Sequence, residues 1–460
     1  MALAFAIILL VVGTVAFHLL SPWWFTPIAS NWKAMDDTVS ITFWVTGFVF
    51  VAVNLFMAYS IIRYRHRAGR KALYEPESKK LEWWLTIVTT VGVAALLAPG
   101  LIVWAEFVKV PANAALVEVV AQQWNWSFRF PGKDGVLGTT DARFFSPDNP
   151  FGMNPQDRNG QDDVLVSGPE LHLPVNKPVK VLLRSKDVNH QFAVAQFRVK
   201  MDMVPGMVTY FWLTPTRTGT FDALCEQLCG LAHFAMRGRV IVEEESTFQA
   251  WLSKQTTYSQ LAANAAGNVV AGQGGYAVCA ACHGQQGEGN QALHAPKLSH
   301  QALWYLTTQI HNYRQGIRGA SDLDVNAKQM IPFATMLADE TAVKDVVAYI
   351  GSLPEQRPPA TVAGNVERGR WLYTTCAACH GVDGEGIWTT KAPRLSHMND
   401  WYLAQQLKNF RQGVRGTHRQ DFYGAQMASM AAILADDRAI DDVVAYVHTL
   451  NTGPETAQLR

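Results

Sequence analysis

From Tyr276 to Leu353 the chain repeats itself without a gap 97 residues further on, from Tyr373 to Leu450, with about half the positions identical. Cys279-Ala280-Ala281-Cys282-His283 returns as Cys376-Ala377-Ala378-Cys379-His380. Ala295-Pro296-Lys297-Leu298-Ser299-His300 returns as Ala392-Pro393-Arg394-Leu395-Ser396-His397, and Tyr313-Arg314-Gln315-Gly316 as Phe410-Arg411-Gln412-Gly413. A gapless repeat of this length is a duplicated folding unit. It places two copies at residues 265–354 and 363–451, with a connection at 246–264, a second at 355–362 and a tail at 452–460. Each copy closes on an amphipathic stretch that reads as a helix, Thr341 to Ile350 and Arg438 to Val447.

Each copy resembles a small class I cytochrome c, an all-α domain. In a Cys-x-x-Cys-His motif the two thiols form thioethers to the haem vinyls and the adjacent His becomes the proximal iron ligand. One such motif arises by chance; two, each leading into a helix-rich unit of the right size, read as covalent haem attachment. The candidate ligands are Cys279, Cys282 and His283 for one haem c, and Cys376, Cys379 and His380 for the other. For the sixth ligand the first copy offers Met330 and Met336, the second Met398, Met427 and Met430. Only Met330 and Met427 are related by the repeat, and both stand shortly before the closing helix, where cytochromes of this type place their axial Met. Met430 remains the alternative in the second copy. His300 and His397 are also repeat-related, but they lie early for an axial ligand and read as haem-edge or structural residues. The second copy gathers Asp436, Asp437, Asp441 and Asp442 in its closing segment, either an acidic docking face or a solvated helix start.

The other end of the chain is apolar. Ala2 to Leu20, Val39 to Ile62 and Leu81 to Trp104 are three such runs, and a helix needs about 20 residues to cross the hydrocarbon. The basic cluster Arg63 to Lys71 between the second and third runs reads as a cytoplasmic loop by the positive-inside rule. These two runs then form a transmembrane hairpin, residues 38–108, that delivers the chain outside. The first run, within residues 1–37, has no Lys or Arg before Ser21 and no A-x-A-like end. It reads as a further membrane helix, with a cleaved secretory signal as the alternative. Glu82 opens the third run.

Residues 109–245 are built from short β-rich segments: Leu116–Val120, Trp126–Phe130, Val179–Leu183, Phe192–Val199, Val208–Leu213 and Arg237–Val242. Strands at this spacing argue an all-β Greek-key sandwich. Residues 132–168 read as one long polar loop. Near the end of this domain come Cys225, Cys229, His233 and Met236, with His190 on an earlier strand. Two thiolates, two imidazoles and a thioether are soft and borderline ligands of the kind copper prefers. A single blue-copper site uses one Cys, and the second Cys four residues on makes a shared, dinuclear centre. Zinc, or a disulfide beside two unrelated histidines, is the competing reading, and zinc rarely takes Met.

These residues resemble the cupredoxin domain of subunit II of the haem-copper oxidases, with its dinuclear CuA centre. The resemblance extends to Gln123-Trp124-Asn125-Trp126-Ser127-Phe128 and to Lys200-Met201-Asp202-Met203-Val204-Pro205-Gly206, over roughly residues 40 to 243. It implies two copper ions held by His190, Cys225, the backbone carbonyl of Gln227, Cys229, His233 and Met236. Where the family carries a Glu whose carboxylate helps hold magnesium, this chain has Gln227, so a magnesium site is in doubt while the carbonyl survives. The resemblance also implies that Trp124 stands exposed beside the copper as the point of electron entry, and that Glu82 lies at the mouth of a proton channel of subunit I; a helix-start carboxylate favoured by the macrodipole is the alternative for Glu82.

The whole reads as a multidomain chain of N-terminal transmembrane helices, a cupredoxin sandwich and two cytochrome c domains. All six Cys are assigned to cofactors, so none is left for a disulfide scaffold. A formal net charge of +1 gives no reason to expect a nucleic-acid partner. The implied role is electron entry to a terminal oxidase in the bacterial inner membrane, with copper and haem domains on the periplasmic side. The implied partners are subunit I, subunit III, a cytochrome c-type donor and membrane lipid. No run of membrane histidines is present to bind a haem a and CuB, so oxygen reduction belongs to another polypeptide. The CuA subunit of a haem-copper nitric oxide reductase, and a membrane-anchored electron-transfer module with no committed oxidase, fit the same residues. Nitrous oxide reductase does not, because its His-rich propeller is missing.

Overall fold

The computed structural model describes residues 1–21, 26–71, 74, 76–145, 149–263 and 267–450; the tail at 452–460 lies outside them. Three long helices open the chain: α1 (Ala2–Leu20), α2 (Lys33–Arg63) and α3 (Lys79–Val108). All three are long and apolar enough to cross a membrane. Large apolar side chains such as Trp44, Phe48, Trp83 and Ile102 face outward, as expected where the solvent is lipid. Glu82 lies in the first turn of α3.

Eleven strands follow among the described residues: β1 (Ala115–Gln122), β2 (Asn125–Phe130), β3 (Val164–Ser167), β4 (Glu170–Pro174), β5 (Val179–Ser185), β6 (His190–Val194), β7 (Val199–Met203), β8 (Thr209–Leu213), β9 (Gly219–Cys225), β10 (Arg237–Glu243) and β11 (Thr256–Thr257). They form two sheets in the orders β11-β3-β2-β1-β5-β8 and β4-β10-β9-β6-β7. Trp126, Phe128, Phe192, Phe211 and Val240 close the space between the sheets and are buried. Under one sheet Glu118, Arg129, Arg184 and Asp163 form a buried ion network, with Arg129 2.8 Å from Glu118 and 2.9 Å from Asp163.

Three expectations change here. The segment read as one strand from Phe192 to Val199 is two, β6 and β7, because a 3₁₀ turn and Arg198 at φ 56° fold it into a hairpin. The turned-out Arg198 then grips Asp36 at the start of α2, 2.6 Å away. The polar loop read at 132–168 ends in strand β3, and β4 and β9 are further strands not anticipated. The connection read at 246–264 belongs largely to the sandwich: β11 pairs with β3, and on α4 (Glu245–Leu252) Phe248 packs on Phe130 at 5.9 Å while Trp251 stacks on His172 at 4.0 Å.

The sandwich rests on the outer ends of α2 and α3. Trp32 Nε1 donates to the Trp212 carbonyl at 2.9 Å, and Trp212 Nε1 donates to the Glu106 carbonyl at 3.2 Å. After the short α5 (Tyr258–Ala263) come the two repeat units. The first comprises α6 (Val269–His283), α7 (Leu303–Arg314), α8 (Val325–Met336) and α9 (Glu340–Ser352). The second comprises α10 (Val366–His380), α11 (Asp400–Arg411), α12 (Phe422–Ala431) and α13 (Asp437–Thr449). In each unit the first and last helices cross at a glycine. A Cβ on Gly272 would lie 2.0 Å from the Asp345 carbonyl oxygen, and one on Gly369 would lie 2.0 Å from that of Asp442, so only glycine permits the crossing. The acidic closing segment of the second unit is internally engaged: Asp436 caps α13, Asp442 is 2.7 Å from Arg368, and Asp437 pairs with Lys408 and Arg411.

Candidate metal centre and haem sites

The copper-ligand set assembles at one end of the sandwich. β6 supplies His190, the end of β9 supplies Cys225, and the loop before β10 supplies the rest. The two Sγ atoms lie 3.7 Å apart. His190 Nδ1 is 3.9 Å from Cys225 Sγ, His233 Nδ1 is 3.4 Å from Cys229 Sγ, and Met236 Sδ is 3.8 Å from Cys229 Sγ. The Gln227 carbonyl turns inward, 3.2 Å from Cys225 Sγ, so the change from Glu leaves that donor in place. His190, Cys225 and Cys229 are buried and bring their ligand atoms within 4.8 Å of one another.

The protonation chemistry suits cations. His190 Nε2 lies 2.8 Å from Asp187 Oδ1; with the proton held there, Nδ1 keeps its lone pair toward the thiols. Burial opposes a charge on His190, yet Asp187 and Cys225 together raise its pKa. The neighbouring Cys229 thiol, with His190 and backbone amides, holds Cys225 down at about 3, while Cys225 and burial push Cys229 well up. The pair behaves as one site that readily gives up a single proton. Ionising both sulfurs requires positive charge between them, which bound metal would supply. Two soft sulfurs, two imidazoles and a thioether fit copper.

The haem motifs sit at the C-terminal ends of α6 and α10. His283 Nδ1 is 2.7 Å from the Pro296 carbonyl, and His380 Nδ1 is 2.8 Å from that of Pro393. That contact places the proton on Nδ1 and frees Nε2 as a donor to iron. His283 Nε2 is buried and has no hydrogen-bond partner among the described residues, which fits a nitrogen that would ligate iron. Burial also lowers the pKa of both histidines, keeping them neutral. Between the second unit and α7 of the first, a cavity of about 260 Å³ is lined by Cys376, Cys379, His380 and Met427, together with apolar side chains of α11 and α13 and with Trp304 and Tyr305 of α7. A covalently held haem fits these residues.

Of the methionines, Met336 is exposed, which leaves Met330, half-buried beside Tyr313 and Ala334, on the inner side of α8. Met427 lines the cavity; Met430 lines it too but packs on the core of the copper domain. Met398 is buried in the same cavity. His300 and His397 both face Glu355 in the connection between the units, at 3.6 and 2.8 Å.

The sequence reading missed how the domains meet. Trp124 is 4% exposed, so the expectation that it stands free beside the copper is corrected. Its ring turns onto the copper loop, and the second cytochrome unit lies against the backbone on either side. Gln426 Nε2 donates to the Trp124 carbonyl at 2.7 Å, Asn125 Nδ2 donates to the Thr389 carbonyl at 2.8 Å, and Cys379 Sγ lies 3.7 Å from the Gln123 carbonyl. Trp124 Nε1 in turn donates to the carbonyl of the copper-ligand candidate Cys229 at 3.1 Å. The two units meet each other through reciprocal pairs: Arg318 donates to Tyr402 Oη at 2.6 Å and Arg415 to Tyr305 Oη at 3.1 Å, each partner one repeat away from its counterpart.

Comparison with known proteins agrees with this division. The family described as Cytochrome C oxidase subunit II, periplasmic domain, matches residues 115–244, and the family described as Cytochrome c matches residues 269–354 and 366–451. The Alternative cytochrome c oxidase subunit 2 of Bradyrhizobium diazoefficiens is 63% identical over 261 residues, covering 57% of this chain and 94% of the relative. Cytochrome c oxidase subunit 2 of Cereibacter sphaeroides is 29% identical over 226 residues, 46% of this chain and 75% of the relative. Cytochrome c4 of Azotobacter vinelandii is 32% identical over 202 residues, 41% of this chain and 92% of the relative. With apolar helices, sandwich and duplicated helical units in this order, the chain belongs to the cytochrome c oxidase subunit II family and carries two cytochrome c domains after its copper domain.

Proposed function

We propose that the chain is the electron-entry subunit of a terminal oxidase in the bacterial inner membrane. In this reading a cytochrome c-type donor on the periplasmic side passes electrons to two covalent haems c and a CuA centre of two copper ions. They leave for the haem-copper subunit I, which reduces oxygen to water, with subunit III completing the complex. When bound, haem and copper supply the one-electron carriers. The chain's own residues hold the sites close together and exclude water between them.

The observation that carries this reading is the contact of Cys379 with the Gln123 carbonyl, beside the bond from Trp124 to Cys229. It sets a haem-attachment residue of the second unit against the segment that abuts the copper loop. In the same loop Leu228, Leu231 and Phe234 are exposed to 78%, 61% and 61%, an apolar rim suited to a partner subunit. Tethering keeps the donor unit at high effective concentration.

The test is Cys225→Ser in the assembled oxidase. The dinuclear copper spectrum and oxygen consumption are lost while both haems remain covalently bound and reducible by an external donor. Oxygen consumption that persists with cytochrome c as donor removes the copper from the path. Metal analysis and a haem stain of the denatured chain give two coppers and two haems per polypeptide.

A further inference from the structure

The duplication presents one face of the molecule twice. In the second unit that face is covered: the Thr389 carbonyl accepts from Asn125, Gln426 donates to the Trp124 carbonyl, and Met430 packs on the core of the copper domain. The repeat-related residues of the first unit are Ala292, Gln329 and Phe333. All three are exposed, Phe333 to 39%. Leu293, counterpart of the buried Thr390, is exposed to 49%, and Met336 on the same helix as Phe333 to 61%. Gln329 is the same residue as Gln426, and Cys282 holds the place of Cys379.

An apolar patch left open in one copy of a domain, and closed by a redox domain in the other, is a site for a like partner. Lys328, next to Gln329 in the chain, is paired with Asp322, so that pair adds no net charge there. Trp124, the alternative landing point on the copper domain, is buried. We propose that this face of the first cytochrome unit is the docking surface for the soluble electron donor. That donor is a redox protein with an apolar rim around its own cofactor, and it seats on the first unit as the copper domain seats on the second. The inference rests on the electron-entry reading above and adds where the donor binds.

The probe is a reduced soluble single-haem cytochrome c, mixed in stopped flow with the oxidised full-length chain in detergent. Phe333→Glu and Gln329→Glu should each slow the second-order reduction of the chain's haems, and weaken binding of the oxidised probe, by about tenfold, since each forces a charge into an apolar contact. Phe333→Met, which installs the residue type found at position 430, should keep both near the unsubstituted values. Reduction by ascorbate with a small mediator, and the haem midpoint potentials, should not change in any variant. Unchanged probe kinetics and binding in both charged variants would overturn the proposal. So would a concentration-dependent dimer that Phe333→Glu abolishes without affecting reduction by the probe, which would make a second copy the occupant. Failure of the electron-entry reading looks different: haems reduced by the mediator would then not pass electrons on to copper.

Discussion

The side-chain amide of Gln426 donates to the backbone carbonyl of Trp124 at 2.7 Å, joining residues 302 positions apart. Trp124 spends its own indole N–H on the Cys229 carbonyl at 3.1 Å. A cytochrome side chain, an aromatic residue and a copper-loop backbone are thereby linked in a water-poor seam. A buried carbonyl needs a partner, and Gln426 is that partner.

Removing it should loosen the seam. Gln426→Ala costs one half-buried hydrogen bond, about 1 kcal/mol, and should raise amide hydrogen exchange at 122–126, where β1 turns into β2, while leaving the rest of the sandwich protected. Exchange in that segment identical to that of the unsubstituted chain means that the second unit is not held there by this bond.

Asp187 serves two sites at once. Its Oδ1 is 2.8 Å from His190 Nε2, and its Oδ2 accepts the backbone N–H of Gln123 at 2.6 Å. Asp187→Ala leaves the sulfurs untouched but frees the His190 ring to rotate. Copper should still bind, with affinity reduced roughly 10- to 100-fold, as for other carboxylates that orient a ligating imidazole. Chelator competition measures it, and a Kd unchanged within threefold would show that packing alone, chiefly Trp126 at 6.4 Å, orients the ring.

The parts legible in the sequence were those with local signals. The haem motifs, the copper loop and the apolar helices each put their chemistry within a few dozen residues, and the repeat doubled the cytochrome evidence. Strand β9 carried a readable signal, since Phe221, Ala223 and Cys225 alternate inward past exposed Thr220 and Asp222, but the Gly and Thr before it look like a turn. The burial of Trp124 had no such signal. The ring turns onto the copper loop at Cys229, and the Trp124 backbone meets Gln426 of the second unit, whose polar side chain looks like surface in sequence, in a docking geometry that no periodicity encodes. The role of Phe248 and Trp251 in closing the sandwich was hidden by the Ala, Ser and Gln around them.

The buried network around Arg129 gives a pH-dependent outcome. Burial disfavours the charged form of Glu118, but Arg129 and Arg184 outweigh it and lower its pKa, so its contribution to stability is present at neutral pH and lost as pH falls. Burial pushes Asp163 up to about 6 even with Arg129 beside it. Arg129→Met strands Asp163 and leaves Glu118 with Arg184 alone, and should cost about 3–5 kcal/mol at pH 7. Without the cation both pKa values rise, so the variant should recover part of its loss as pH is lowered toward 5, more steeply than the unsubstituted copper domain. There Asp163 alone gains in this range, and the Glu118 contribution is lost only below the ordinary carboxylate range. Thermal unfolding of that domain across this range checks the difference in slope, and parallel pH dependences would dispose of the network argument.

The axial sulfur of the second haem is the finest distinction the fold makes. Met427 and Met430 share α12 and the same cavity, but Met430 is also committed to the copper-domain core, where its counterpart in the first unit is the exposed Phe333. Met427 has Met330 as its counterpart, and a ligand is the role most strictly kept in a duplicated haem unit. Thioether ligation raises a haem potential relative to two imidazoles, because a neutral soft sulfur favours ferrous iron. Met330→His and Met427→His should each lower one haem potential and leave the other nearly unchanged. Met430→Leu should leave both potentials and the ferric sulfur-to-iron absorption band in place, while relaxing the contact with the copper domain. If Met430→Leu removes that band and Met427→Leu keeps it, the sulfur packed against the copper domain is the ligand, and the second haem site departs from the first.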